Sequence, residues 1–320
     1  MDSLQASKAL AAMASVATRG GTQPLTVVDQ ATVEAAWRLR YLQDTPLNVA
    51  NLPPVTPQEL AQALPEPASR EWVAQSLAVM PFVDGQLDRE KAGRVAQFGA
   101  ALGVQEDFIA EMHRVAEGKL AGVLACMMRE NILSIHNGPW PGQDTMAYFL
   151  PWRTAPDSAL KARHEALAAL APGTLGFEWH CWYGRNGFAL PGDPDALCTE
   201  FAWPHDTAHL LSGYNSTPHG ELLVSTFTAG MHPQHPMEGH ILPVIFSWHL
   251  GIQLNSVAKS ARGAFDPELF WEAWERGAGT RTDVFAPGWD FWGACQQPLP
   301  ALREAYGVTP SQFPAERVSL

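Results

Sequence analysis

The stretch HDTAHLLSGYNSTPHGE, His205 to Glu221, decides how this chain is read. Taken as helical up to Gly213, it predicts one helix ending at that glycine. The break Gly213 to Pro218 then predicts a turn that folds a second helix, ELLVSTFTAGM, back over the first. Side chains four residues apart on a helix overlie one another, so His205 and His209 share a face. That spacing grips a single metal ion. Asp206 adjoins the first histidine and Glu221 heads the second helix, which makes the candidate set two imidazoles and two carboxylates. Asp206 points about 100° around the axis from His205, so either the ion sits off axis or Asp206 acts from behind the ligands. Zinc peptidases carry Glu beside the first histidine as general base. Here that position is Asp206, which excludes them.

Glu221 is a ligand or, if it stays off the metal, the general base. His219, just before Gly220, is a candidate proton carrier. Seven of the eleven histidines fall between His205 and His249, a notable clustering. Among them, His232 and His235 lie beside prolines and read as loop residues. His240 and His249 read as capping or lining the core.

Downstream, MEGHILPVIFSWHLGIQLNSVAKSARG predicts a buried central helix. Asp266 and Pro267 predict a cap and first helical position for the segment that follows. Trp271, Trp274, Trp289 and Trp292 are expected in the core, and residues after Val308 are expected to be disordered. Upstream, Asp157 to Leu170 predicts a helix, whereas the aromatic and glycine-rich segment from Gly173 to Leu197 predicts a loop-rich rim. Val27 to Leu42 and Pro57 to Leu64 read as helices, with Thr56 as cap. Residues 70–131 carry strong helical patterning that divides at Asp84-Gly85, Gly103 and near Gly118. Asp84, Asp88 and Glu90 at the first of these turns read as capping residues, with metal ligation as the alternative.

The fold class is therefore all-α, with a small N-terminal bundle joined to a larger helical metal-binding domain. Its expected parts are an N-terminal helix and proline-rich arm (1–69), the bundle (70–136), the metal domain (157–308) and a tail (309–320). With 46% hydrophobic and 17% charged residues, 320 residues suffice for substantial cores. A net charge of −12 argues against nucleic acid, whose binding runs on clustered Lys and Arg. Cys126, Cys181, Cys198 and Cys295 include no CxxC pair, which suits a reducing, cytoplasmic setting. No window approaches ~20 uninterrupted apolar residues, so no membrane-spanning helix is expected.

Two resemblances attach to these residues. MPFVDGQLDREKAGRVAQFGAALGV, within 70–131, resembles the TerB-like tellurite-resistance domain, a small all-helical module. PGTLG (172–176), HDTAH (205–209), GE (220–221), WERG (274–277) and GWDFWGACQQPLPALREAYGV (288–308) together resemble the coenzyme Q (ubiquinone) biosynthesis protein family, the fourth of the COQ series. The second resemblance implies an all-helical fold and a divalent ion held by His205, Asp206, His209 and Glu221. Zinc is the expected ion, and Mg, Mn and Fe tolerate the same ligands. It also implies a groove for an isoprenoid-tailed ring and an oxidative decarboxylation in which a ring carboxyl is replaced by hydroxyl. The implied partners are a prenylated quinone precursor, other quinone-biosynthesis proteins, a second copy of the chain and the surface of the inner membrane. The alternative is a non-catalytic scaffold in which metal staples the helices and the groove holds a prenyl lipid.

Overall fold

A computed structural model describes residues 1–86, 89–104, 107–116, 126–127, 129–131, 133–135, 155–194, 196–246, 263 and 265–318. The fold is all-α, and no strand occurs among the described residues. In chain order the helices are α1 (Ser3–Ala17), α2 (Val27–Ala35), α3 (Pro57–Ala63), α4 (Pro67–Val79), α5 (Arg89–Leu102), α6 (Asp107–Ala116), α7 (Ser158–Glu165), α8 (Leu175–Asn186), α9 (Thr199–Ser212), α10 (Pro218–Met231), α11 (Pro267–Ala278), α12 (Phe291–Cys295), α13 (Leu299–Tyr306) and α14 (Ala315–Val318). Wider π-type turns extend α2 over Ala36–Arg40 and follow α10 at Pro236–Ile241.

Contacts divide the chain into two compact units. One is Met1–Cys126 with Leu242–Glu272, the other Met127–Ile241 with Ala273–Leu320. This division does not follow the consecutive blocks expected from sequence, since Leu242–Glu272 groups with the N-terminal part.

In the first unit, the alanine-rich start is a well-formed helix. Asp2 and Gln5 close a capping box at its head, satisfying two backbone N–H groups that a helix start leaves open. Ala6, Ala9, Leu10, Ala12, Met13 and Val16 are fully buried, because small side chains let α3, α4 and α5 approach closely. Thr56 caps α3 through Glu59 with Pro57 in the first turn, as the sequence predicts. At the DG turn, Asp84 accepts from Gln86 N and pairs with the buried Lys91 at 2.7 Å, while Asp29 lies 3.7 Å from the same ammonium. Glu90 faces Arg19 at 3.5 Å. Asp84 and Glu90 thus serve different cations and do not converge; Asp88 lies outside the described residues.

The second unit corrects the sequence reading in part. Gly173 to Leu197 is not a loop-rich rim throughout: Thr174 caps α8, and Gly187 closes it with φ +66°. Leu175, Trp179, Trp182 and Tyr183 are buried, at spacings that place them on one face. His232 lies in the loop after α10, as read, and is fully buried there between Asp283 Oδ2 (2.6 Å) and the Ser134 carbonyl (2.9 Å). Thr309 to Val318 are not a disordered tail: the Thr309 carbonyl accepts from Arg276 and α14 forms at Ala315–Val318. Of the helix predicted over Met237–Gly263, the described part is the π-type turn Pro236–Ile241 and the helical turn Leu242–Val244; residues 247–262, His249 among them, lie outside the described residues. Trp271 and Trp274 are buried, but Trp289 and Trp292 are only half-buried.

Candidate metal centre

Helices α9 and α10 form the predicted hairpin. Gly213 ends α9 in the left-handed region (φ +85°), and its N–H returns to the His209 carbonyl. Thr217 caps α10 by accepting from Gly220 N at 3.2 Å. A Cβ on Gly220 would run into the Asn215 carbonyl, so the turn closes only around a glycine. Glu221 falls in the first turn of α10, where the unpaired N–H groups favour negative charge.

The last carbonyls of α9 are satisfied from elsewhere in the same unit. Arg303 of α13 donates to Leu210 O (2.6 Å) and Leu211 O (3.0 Å). Arg276 of α11 donates to Ser212 O (2.9 Å), the Tyr214 hydroxyl (2.7 Å) and Thr309 O (2.9 Å). Two positive side chains therefore meet the negative end of the histidine-bearing helix. The WERG and ALREAYGV segments act here through these arginines. Gly277 serves packing, because a Cβ there would strike the Phe227 carbonyl and a Cβ on Gly230 would strike that of Trp274.

The two histidines and the glutamate come together as the sequence predicts. His205 Nε2 is 3.5 Å from Glu221 Oε2, and His209 Nε2 is 3.4 Å from Glu221 Oε1. Each Nδ1 is held from behind. His209 Nδ1 faces the Tyr214 carbonyl at 3.0 Å, and His205 Nδ1 faces Asp206 Oδ1 at 3.1 Å. A carbonyl and a carboxylate only accept, so both Nδ1 atoms carry hydrogen, and a neutral ring has its lone pair on Nε2. Those lone pairs point at an anionic carboxylate that also only accepts.

Such an arrangement requires a proton or a cation between the groups. The separations exceed a good N–H···O bond. Each Nε2 takes a different oxygen of Glu221, and His205, Asp206 and His209 each offer a ligand atom with all three within 4.8 Å of one another. The donor set therefore fits a divalent metal.

Asp206 is buried, and its ligand atom lies within 4.8 Å of those of His205 and His209. Its other oxygen, Oδ2, accepts from the Tyr183 hydroxyl at 2.6 Å. Phe201 stacks on His205 with centroids 4.6 Å apart, and Trp182 lies 5.0 Å from His209. Tyr183, Tyr214, Phe201, Arg276 and Arg303 were not singled out from sequence. Tyr183 and Trp182 had a readable signal in the apolar spacing of α8; the others have none without the fold. His219 is half-buried, two residues ahead of Glu221.

Charge in this cluster is strongly coupled. Burial disfavours the charged form of His205, but Asp206 and Glu221 outweigh it and raise its pKa to about 10. Burial likewise favours a neutral Glu221, yet His209 and His205 hold its carboxyl well below the usual carboxylate range. Burial, then Asp206, pushes the Tyr183 hydroxyl well above 10, so it stays a donor. Tyr183→Phe removes a hydrogen bond to an ionised acceptor, and the expected loss is about 1.5–3 kcal/mol of stability. Metal affinity should fall about tenfold, because His205 loses its orienting partner. Thermal melts and chelator competition measure the two effects separately.

Neither a protein-family model nor a curated protein sequence matches the chain. Among solved structures it is similar to the "putative ubiquinone biosynthesis protein" of Nostoc punctiforme PCC 73102, at 18% identity over 74% of this chain and 97% of that one, with a TM-score of 0.32. At that level of likeness, function is read from this chain's own side chains.

Proposed function

We propose that the chain is a divalent-metal-dependent enzyme acting on a carboxylated aromatic ring with a prenyl tail, exchanging the ring carboxyl for hydroxyl in a ubiquinone-type pathway. The observation that carries the metal part is the convergence of His205 Nε2 and His209 Nε2 on the Glu221 carboxylate with both Nδ1 atoms engaged. The substrate class follows the family resemblance of the five sequence segments around it.

When bound, a divalent ion supplies Lewis-acid polarisation and a template for an anionic substrate group. His205, His209 and Glu221 would hold it, with Asp206 either a fourth ligand or the partner behind His205. Tyr183 fixes Asp206, and the Tyr214 carbonyl fixes the His209 ring. Phe201 covers one face of His205 and limits water there. Carboxyl leaves as carbon dioxide while a ring C–O bond forms. Water supplies the hydroxyl oxygen and dioxygen takes up the two electrons, so ring acid, water and dioxygen give phenol, carbon dioxide and hydrogen peroxide.

The test is elemental analysis of the purified protein, with mass spectrometry of a prenylated hydroxybenzoate before and after incubation. His205→Ala should lose both metal and turnover while keeping its helical circular dichroism. Turnover by a correctly folded, metal-free variant would sink the enzyme reading. Metal without any turnover would favour the scaffold.

Metal uptake should also depend steeply on pH. In the metal-free protein, His205 contributes stability that is fully present below its unfolded pKa of 6.5 and lost as pH rises through about 10. Glu221 contributes stability present above its unfolded 4.5 and lost as pH falls toward its depressed folded value. The ion displaces the proton on His205, so affinity should rise with pH up to about 10. Metal titrations at pH 6 and pH 8, read as Tm shifts, should show the larger stabilisation at about pH 8. Equal shifts would contradict the displacement.

A further inference from the structure

Within the second unit, a separate group of side chains converges on one point. Glu130 and Glu238 are almost fully buried, and His235 lies between them. His235 Nδ1 is 3.1 Å from Glu130 Oε2 and 3.2 Å from Glu238 Oε1. One ring nitrogen offers one hydrogen, and two carboxylates compete for it. Arg129 is bound on the far side of Glu130, with Nε and Nη2 both on Oε1 at 3.0 and 2.8 Å. Glu130 Oε2 is thereby left facing the histidine and Glu238.

Arg129 offsets Glu130 at Oε1 only; Glu130 Oε2 and Glu238 Oε1 still converge on the single Nδ1 of His235, and such a buried carboxylate pair is costly unless a further cation joins it. We propose that Glu130, His235 and Glu238 form a second divalent-cation site, distinct from the His205–His209–Glu221 centre. His235 and Glu238 stand at i and i+3, entering the turn Pro236–Ile241, and Glu130 comes from a separate segment. His235 stands at the entry to this turn and Glu238 within it, so one short segment supplies two of the three donors. Two carboxylates and one imidazole make a harder donor set than two imidazoles and one carboxylate. This site therefore suits Mn²⁺ or Fe²⁺, whereas the first suits zinc. Arg129 acts as the outer partner that orients Glu130 while its second oxygen meets the ion.

The experiment is an Mn²⁺ titration of the full chain, followed by loss of the free-ion electron paramagnetic resonance signal, with zinc counted in parallel by elemental analysis. The wild type should bind Mn²⁺ at this site even in the His205→Ala/Glu221→Gln double variant, which removes only the first centre. Glu238→Gln should weaken that Mn²⁺ binding about 100-fold or more and leave the zinc content unchanged. His235→Ala should do the same without opening a cavity, because its side chain is 42% exposed. Mn²⁺ affinity unchanged in both Glu238→Gln and His235→Ala would overturn the proposal, as would a double variant that binds no Mn²⁺. Loss of zinc from the wild type alone would instead count against the first centre.

Discussion

Glu221→Gln is expected to lower metal affinity by at least about 100-fold and turnover by a similar factor or more, with helical content unchanged. The carboxylate is the common neighbour of both Nε2 atoms, at 3.5 and 3.4 Å. An amide oxygen keeps the shape but lacks the charge that offsets a divalent ion, and its NH₂ group would face a lone pair meant for the metal. The same change removes one of the two carboxylates that raise His205, so the imidazolium of the metal-free protein should titrate at lower pH. Histidine ring signals in nuclear magnetic resonance follow that shift independently of activity. A variant that still holds stoichiometric metal and titrates His205 as before would show that Glu221 stands outside the centre.

Arg276→Ala should be the most destabilising single change near the site, at about 3–5 kcal/mol. The side chain is buried and serves three acceptors, namely Ser212 O, the Tyr214 hydroxyl and Thr309 O. Truncation leaves all three without their donor and removes positive charge from the end of α9. At about 2–4 °C per kcal/mol, the melting temperature should fall by roughly 6–20 °C. Metal binding should weaken too, because Tyr214 also supplies the carbonyl that holds His209 Nδ1. Arg276→Lys should restore only part of the loss, since an ammonium cannot span three acceptors in the guanidinium plane. A loss under about 1 kcal/mol would mean that water replaces the arginine freely.

Much of the site was legible in the chain because its elements are local. The i, i+4 histidines, the glycine stop and the Thr-Pro restart are written within 17 residues, His205 to Glu221, and each acts through its own helix. Capping at Asp2, Thr56 and Asp157 is equally local. Helix α8 was missed although Thr174, Leu175, Trp179, Trp182, Tyr183 and Gly187 carry a cap, a helical stripe and a stop. Its glycines and aromatic density hid that periodicity behind turn-like composition.

The chain alone therefore settles the all-α class, the α9–α10 hairpin and the pairing of His205 with His209, because these follow from periodicity and breakers over one or two turns. Tertiary structure decides what no spacing encodes. Tyr183 reaches Asp206 from 23 residues away, and Arg276 and Arg303 reach the end of α9 from more than 60. It also turns Asp206 toward Tyr183 and His205, and it brings Glu130 to His235. Each depends on where a distant backbone passes, which is set by the packing of whole helices.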